Sequence, residues 1–168
     1  MPDWTEKLGP AAATREPVEV LRVFSDSDAV VDAGDATWTD DGWRIDALNT
    51  GWVRQVLHLG RTVELFTLPL EGRTGVLLVY QAKLRPESLS GRAYLEMWCR
   101  VGGREFFSRG HGFGEVVAGT GDWSTLETPF LVQSDQRVES ARLNVVIEGR
   151  GVLYIKDVQL ISRPLAQV

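Results

Sequence analysis

The sequence predicts an all-β protein, a two-sheet antiparallel β-sandwich. Three observations support this prediction. Apolar and polar residues alternate in many short runs, which is the periodicity of half-buried strands. Glycine and proline turn signals separate these runs at intervals of roughly 8–12 residues. Apolar residues do not recur at helical spacing over three turns, so we expect less than about a tenth of the chain in helices.

Composition bounds the class of protein. The chain has 168 residues, of which 43% are hydrophobic and 24% charged, and this suits one domain with one substantial core. A net charge of -5 and a pI near 5.1 argue against a nucleic-acid partner, because nonspecific phosphate binding needs concentrated Lys and Arg. The only cysteine, Cys99, lies in an apolar run, which excludes an intramolecular disulfide and predicts a small core residue.

The chain ends carry no membrane signal. The amino terminus lacks a basic start followed by an apolar block, and no apolar run is long enough to span a bilayer, so the expected location is cytoplasmic.

Residues 1–17 mix Pro, Ala, Thr and charges and are predicted to form an extended arm. Its Trp4 is expected to dock, on this domain or on a partner. The sandwich is predicted over residues 18–162, followed by a tail over 163–168.

The strands follow in order. Val18–Phe24 is predicted as the first strand, with Val18, Val20 and Phe24 facing inward, and Thr37–Leu48 as a hairpin in which two tryptophans flank an Asp-Asp-Gly turn. Residues 109–121 form a glycine-rich segment that is expected to be a loop and not a helix. The remaining strands before the carboxyl-terminal pair are predicted at Trp52–Leu59, Thr62–Pro69, Gly75–Leu84, Arg92–Val101, Glu105–Ser108 and Trp123–Val132.

The segment Arg142–Leu160 contains two alternating runs around Glu148-Gly149-Arg150-Gly151 and is predicted to be the closing β-hairpin. The second run loses its alternation near Gln159. One face of each run is almost wholly aliphatic, so a second sheet must cover it. The predicted core comprises Leu95, Met97, Leu143, Val145 and Ile147.

Three segments together carry a family resemblance. The strand YLEMWCRV, the stretch GDWSTLETPFLV and the stretch ARLNVVIEGRGVLYIKDVQL resemble the jelly-roll carbohydrate-binding modules and the wider galactose-binding-like β-sandwich group. The resemblance covers about Val18 to Ile161 and implies a jelly roll, a fold that hosts sugar binders, protein binders and accessory domains alike. Many of these modules bind a structural calcium with two acidic residues before the terminal valine. Here those positions are Lys156 and Asp157, and an ammonium group beside Ca²⁺ is unfavourable.

A candidate ligand surface lies on the strand Arg92–Val101. Alternation makes its polar and aromatic residues project together, and we expect neighbouring strands to add hydrogen-bonding groups. Aromatic rings stack on the apolar face of a pyranose, while amides, carboxylates and guanidinium groups bind its hydroxyls. The alternative is a solvated or paired set of charges with Trp98 covered by a loop. The candidate residues are Tyr94, Glu96, Trp98, Arg100, Gln81, Lys83, Arg142, Asn144 and Glu148.

The acidic loop after the first strand offers oxygen ligands for calcium. Carboxylate oxygens suit a hard cation such as Ca²⁺, and this loop offers those of Asp26, Asp28, Asp32 and Asp35, to which Asp157 could add another. The spacing of these residues is not that of an EF-hand. Aspartate is also favoured in turns, so solvated turn carboxylates are the expected interpretation and no cofactor or metal is predicted.

Catalytic signals are sparse. His58 and His111 are too few for a typical three-ligand zinc site without carboxylates, and His111 with Ser108 lacks a nucleophile-elbow context. Glu96 and Glu148 would need a defined separation to cleave glycosides. We therefore predict a noncatalytic binding module for a carbohydrate or similar polar small molecule. The alternative is an accessory subunit that docks on a larger protein assembly through the sandwich and the arm with Trp4 and Pro10, and the exposure of Tyr94 and Trp98 separates the two.

Overall fold

The computed structural model describes residues 18–47 and 61–165. Within these ranges the only helix is a 3-10 turn at Gly110–Phe113, and the strands are β1 Glu19–Phe24, β2 Ala36–Thr39, β3 Gly42–Asp46, β4 Arg61–Arg73, β5 Val76–Glu87, β6 Leu89–Val101, β7 Arg104–Arg109, β8 Val117–Gly119, β9 Ser124–Val132, β10 Val138–Glu148 and β11 Val152–Pro164.

The strands form two antiparallel sheets, which confirms the predicted sandwich. Sheet A has the order β2-β3-β11-β5-β9, and β1 also pairs with β11. Sheet B has the order β4-β10-β6-β7, and β8 also pairs with β6. No helix in the described residues is long and apolar enough to cross a membrane.

The core lies between the sheets and is aliphatic. The inward side chains of β6, which include Leu95, Met97 and Cys99, are fully buried. Leu143, Val145 and Ile147 of β10 are equally buried, so the predicted core faces of both strands are confirmed. Burial in apolar surroundings raises the pKa of the Cys99 thiol to about 12, as expected of a structural cysteine.

The predicted closing hairpin is wrong. β10 lies in sheet B between β4 and β6, whereas β11 lies in sheet A, so the chain crosses the core at Gly149–Gly151 instead of turning back in one sheet. A hairpin and such a crossing share one sequence signature, because in both each strand turns its apolar face toward the core. The crossing packs tightly: Gly149 has φ 122°, and a Cβ there would lie 2.6 Å from the amide nitrogen of Gly91.

Two further expectations need correction. Val18 and Val20 are each 50% exposed, and only Phe24 of the predicted inward set of β1 is buried. The pairing of β1 with β11 shifts between Val20 and Arg22, and this irregularity interrupts the alternation on which the prediction rested. The slip in β11 lies at Asp157, which has φ 52° and interrupts the pairing with β5 two residues before Gln159.

Other local predictions fare better. The β2–β3 hairpin forms with Trp38 opposite Trp43, and β6 continues into β7 through Gly102 and Gly103, both at positive φ. The glycine-rich segment is not wholly a loop, because it contains the 3-10 turn and β8. The predictions for Trp4, Pro10, His58 and the strand Trp52–Leu59 fall outside the described residues.

Candidate functional site

The outer face of sheet B is a grid of side chains from four adjacent strands. Pairing sets Arg142 of β10, Trp98 of β6 and Phe107 of β7 in one row across the sheet. The next row contains Asn144, Glu96 and Arg109 on the same three strands, with Glu64 of β4 beside Asn144. The rows follow from alternation on each strand together with the register between strands.

Glu96 is the centre of a hydrogen-bond network on this face. The indole nitrogen of Trp98 and the amide nitrogen of Asn144 each donate to its Oε1 atom at 2.9 Å. The guanidinium of Arg109 donates to Oε2 at 2.7 Å. Glu96 is only 3% exposed, so its carboxylate is held by neighbours and not by water.

The network also sets the ionisation of Glu96. Burial acts to raise the pKa of this carboxyl group, because a low dielectric disfavours the charge. Hydrogen bonds from Asn144, Arg109 and Trp98 favour the charged form and outweigh burial, so the pKa lies below its usual value. Glu96 is therefore an ionised anchor for three side chains at neutral pH.

A cleft of about 350 Å³ lies over this network. Asn144 lines the cleft and is 3% exposed, and within residues 18–47 and 61–165 its buried carbonyl oxygen Oδ1 has no hydrogen-bond partner. Buried polar atoms in proteins are nearly always paired, and an unpaired acceptor is costly. The described residues that line the cleft are Asp32, Thr62, Glu64, Glu96, Trp98, Arg109, Arg142 and Asn144.

Trp98 forms the aromatic border of the cleft. Its ring centroid lies 5.2 Å from that of Phe107, at an interplanar angle of 51°. The Arg142 guanidinium lies 5.6 Å from the Trp98 ring centroid, and that of Arg109 lies 4.0 Å from the Phe107 ring centroid. Trp98 is half-buried and Phe107 is 50% exposed, so an aromatic surface continues from the cleft to the edge of the sheet.

Tyr94 occupies the other side of the Glu96 row. It is 4% exposed, and its ring makes an edge contact with His111 at a centroid distance of 4.5 Å. Arg92 lies 5.5 Å from the same ring. The Tyr94 ring is therefore covered by its neighbours and offers little open area for stacking.

The structure brings together only some of the predicted site residues. Glu96, Trp98, Arg142 and Asn144 meet at the cleft. Arg100 and Glu148 share the face outside it, where they pair with Glu139 and Arg92. Gln81 and Lys83 do not join them, because their strand β5 belongs to sheet A, where Gln81 bonds Gln159 and Lys83 lies 3.5 Å from Asp157.

Sequence reasoning missed five residues of this surface. Arg109, Glu64, Thr62 and Asp32 line the cleft, and Phe107 extends its aromatic border. The sequence did contain a signal for the two residues of β7. The Gly102-Gly103 turn indicates a tight hairpin with β6, and this hairpin sets Phe107 opposite Trp98 and Arg109 opposite Glu96. Asp32 lies in the loop after β1 and reaches the cleft only through tertiary structure, where it accepts a hydrogen bond from the Glu64 amide at 2.8 Å.

The carboxylates of the acidic loop bond different partners. Asp28 pairs with Arg22, Asp35 pairs with Arg61, and Asp32 binds the Glu64 amide. Asp157 lies in β11 and pairs with Lys83. In residues 18–47 and 61–165 no group of three His, Cys, Asp or Glu side chains is placed to hold a metal ion.

The suggested catalytic groups lie apart and have other partners. Glu148 lies four residues beyond the partner of Glu96 on β10, which separates the backbones of the two glutamates by about 13 Å along the strand. The carboxyl groups of glycosidase pairs lie roughly 5–9.5 Å apart, whereas here the Glu96 carboxylate bonds Arg109 and that of Glu148 bonds Arg92. Ser108 is buried and shares a hydrogen bond of 2.6 Å with Thr128, while His111 packs on Tyr94.

The chain was compared with known proteins. No protein-family model matches it, and no curated protein matches it. Among solved structures it is similar to the N-terminal endo-1,4-beta-D-xylanase 10B of Clostridium thermocellum, described as CBM22-1 and GH10 modules complexed with xylohexaose. The identity is 11% and the TM-score 0.50, and the match covers 90% of this chain and 26% of the xylanase chain.

A second similar structure is a xylan-binding module, CBM15, with 15% identity, a TM-score of 0.41, and coverage of 90% of this chain and 98% of that module. At such identities the xylanase match establishes the fold alone. The chain therefore shares the β-sandwich fold found in carbohydrate-binding modules.

Proposed function

We propose that this protein is a noncatalytic binding module whose cleft on the outer face of sheet B takes a carbohydrate or a similar polyhydroxylated molecule. One observation carries the proposal: a cleft bordered by the Trp98 ring lies over Asn144, whose buried Oδ1 atom has no hydrogen-bond partner in the described part of the chain. A ligand hydroxyl would supply the missing donor, while the indole would cover an apolar sugar face.

The chemistry of the surrounding groups suits a sugar. A pyranose has a C-H face that stacks on an indole and hydroxyl groups that both donate and accept hydrogen bonds. Arg142 offers donors beside Trp98, and Asp32 and Glu64 offer acceptors across the cleft. The Glu96 network fixes Trp98, Asn144 and Arg109 in advance, which lowers the ordering cost of binding.

Xylohexaose is a reasonable first probe, because the xylanase with a similar fold is described in complex with it. We would screen this and other neutral oligosaccharides on a glycan array and measure each hit by calorimetry. In Trp98→Ala we expect binding to weaken by about 2 kcal/mol or more, as for buried aromatic anchors. Because Trp98 is half-buried at the border of the cleft, the fold should survive this change.

Trp123→Ala is the matched control. Trp123 lies on the outer face of sheet A, where Arg85 and Lys156 contact its ring, so its removal should leave glycan affinity unchanged. Loss of about 3–5 kcal/mol of stability in Trp98→Ala, with no glycan bound by the wild type at millimolar concentration, would contradict the proposal.

A second candidate function is docking on a protein partner. It is favoured by β7, the last strand in the order of sheet B, and by the 3-10 turn after it, which carry Phe106, Phe107 and Phe113 at 43%, 50% and 60% exposure. Exposed aromatic residues of this kind are frequent at interfaces. The contradicting outcome above would leave this accessory role as the better proposal.

A further inference from the structure

We propose that the cleft selects an uncharged ligand that donates hydroxyl hydrogens and rejects acidic glycans of the same length. This inference rests on the proposed function and adds the chemical class of its ligand. Two independent features of the cleft carry it: the fixed orientation of the Asn144 amide, and an excess of carboxylates over guanidinium groups.

The orientation of Asn144 follows from Glu96. A carboxylate only accepts hydrogen bonds, so the Asn144 group that bonds Glu96 at 2.9 Å must be its amide nitrogen. The carbonyl oxygen then lies on the other side of the amide, where it has no partner among the described residues. Rotation of the amide would bring its oxygen against the Glu96 carboxylate, which is unfavourable. The group that Asn144 has left for a further hydrogen bond is therefore an acceptor, and a ligand donor would satisfy it.

The charges around the cleft also favour a neutral ligand. Among the described residues, three carboxylates line the cleft and only two guanidinium groups do. The charge of Arg109 is already committed to Glu96 at 2.7 Å, and Arg142 lies 3.9 Å from Glu105 and against the Trp98 ring. Among the described residues Asp32 and Glu64 have no cationic partner, since Asp32 accepts from a backbone amide and Glu64 from the Thr67 hydroxyl.

A neutral sugar and an acidic sugar would meet this cleft differently. The hydroxyls of a neutral sugar donate to Asn144 Oδ1 and to the unpaired carboxylates at no electrostatic cost. A ligand carboxylate has no hydrogen to donate and would lie beside Asp32 and Glu64, and like charges in a confined site are strongly unfavourable. Rejection of the wrong ligand by repulsion is a common source of specificity.

The direct test needs no variant. We would measure the affinity of the wild-type protein for xylohexaose, cellohexaose and hexagalacturonic acid at pH 7 and about 0.15 M salt by calorimetry. We expect at least one neutral hexamer to bind at least about ten-fold more tightly than the acidic hexamer, since repulsion between close charges exceeds 1.4 kcal/mol. Lower salt should widen the difference, because screening weakens.

Asp32→Asn tests the cause. Asparagine keeps an oxygen that can accept from the Glu64 amide but removes the charge, so binding of the acidic hexamer should improve several-fold and the preference for the neutral hexamer should shrink. Glu148→Gln is the matched control: it removes a carboxylate on the same face, four residues along β10 from Asn144, where Glu148 pairs with Arg92. The control should leave the preference unchanged.

The outcomes separate this inference from the proposed function. Equal or tighter binding of the acidic hexamer would overturn the inference and leave carbohydrate binding intact. A neutral preference that Asp32→Asn does not alter would overturn the electrostatic cause. No binding of any probe would overturn the proposed function and the inference together.

Discussion

The outer faces of the two sheets are both rich in aromatic and charged side chains, but they differ in how completely these groups pair with one another. On sheet A the Arg85 guanidinium lies 4.3 Å from the centroid of the Tyr154 ring and 5.4 Å from that of Trp123. The ammonium group of Lys156 lies 4.1 Å from the Trp123 ring centroid. Cations thus contact both rings, and Asp41 lies 3.5 Å from Arg85.

On sheet B the pairing is less complete. Glu96 bonds three donors, whereas the carbonyl oxygen of Asn144 is buried without a partner among the described residues. The composition of an outer face therefore says little about binding. The two outer faces differ in how completely their polar groups pair, and for this reason we propose the ligand site on sheet B.

The largest effect should come from the core beneath both faces. Ile147 is 1% exposed between the sheets, so Ile147→Ala should lower the free energy of unfolding by about 2–5 kcal/mol in a urea titration. Val23→Ala, on a valine that is 56% exposed, is the control and should change little. A loss below about half a kcal/mol at Ile147 would mean that the two faces of β10 are reversed.

A smaller effect should distinguish the two outer faces. Trp123→Ala removes ring contacts with two cations and should cost about 1–2 kcal/mol of stability, since each exposed cation–π contact contributes roughly 0.5–1 kcal/mol. Chemical denaturation measures this loss. Because the contacts are internal to sheet A, ligand binding should be unaffected, and weaker glycan binding in this variant would show that sheet A also takes part.

The smallest effect we expect is on the acid dependence of stability. The pKa of Glu96 is lower in the folded protein than its ordinary value of about 4.3, so its stabilisation is complete above that pH and is lost as the pH falls through the folded-state pKa. Wild type should therefore lose stability more steeply than Glu96→Gln as the pH is lowered from about 5 to 2.

The acid comparison must be a difference between variants. Glu19 and Asp28 also have lowered pKa values, from the hydrogen bond with Arg73 and from the Ser25 backbone amide respectively, and they contribute to acid unfolding in both proteins. Glu148→Gln provides a second reference on the same face. Identical acid slopes in wild type and Glu96→Gln would contradict the ionised network.

The sequence by itself determined most of the strands and the faces of β6 and β10. Period-two alternation in β6 put Leu95 and Met97 in the core and Glu96 and Trp98 on the opposite face, and both assignments hold. Alternation is a local property of the backbone, so it can be read along one strand without knowledge of its neighbours. The same reasoning placed Asn144 opposite the core face of β10.

Only the tertiary structure decided which strands are neighbours. Alternation cannot tell a hairpin from a crossing between sheets, so the turn at Gly149–Gly151 was misassigned and Lys83 was placed beside Trp98 although β5 lies in the other sheet. Pairing depends on contacts between residues far apart in sequence. Strand pairing brings Arg109 to Glu96, and a loop contact with β4 brings Asp32 to the same cleft. The resulting network leaves Asn144 Oδ1 without a partner among the described residues.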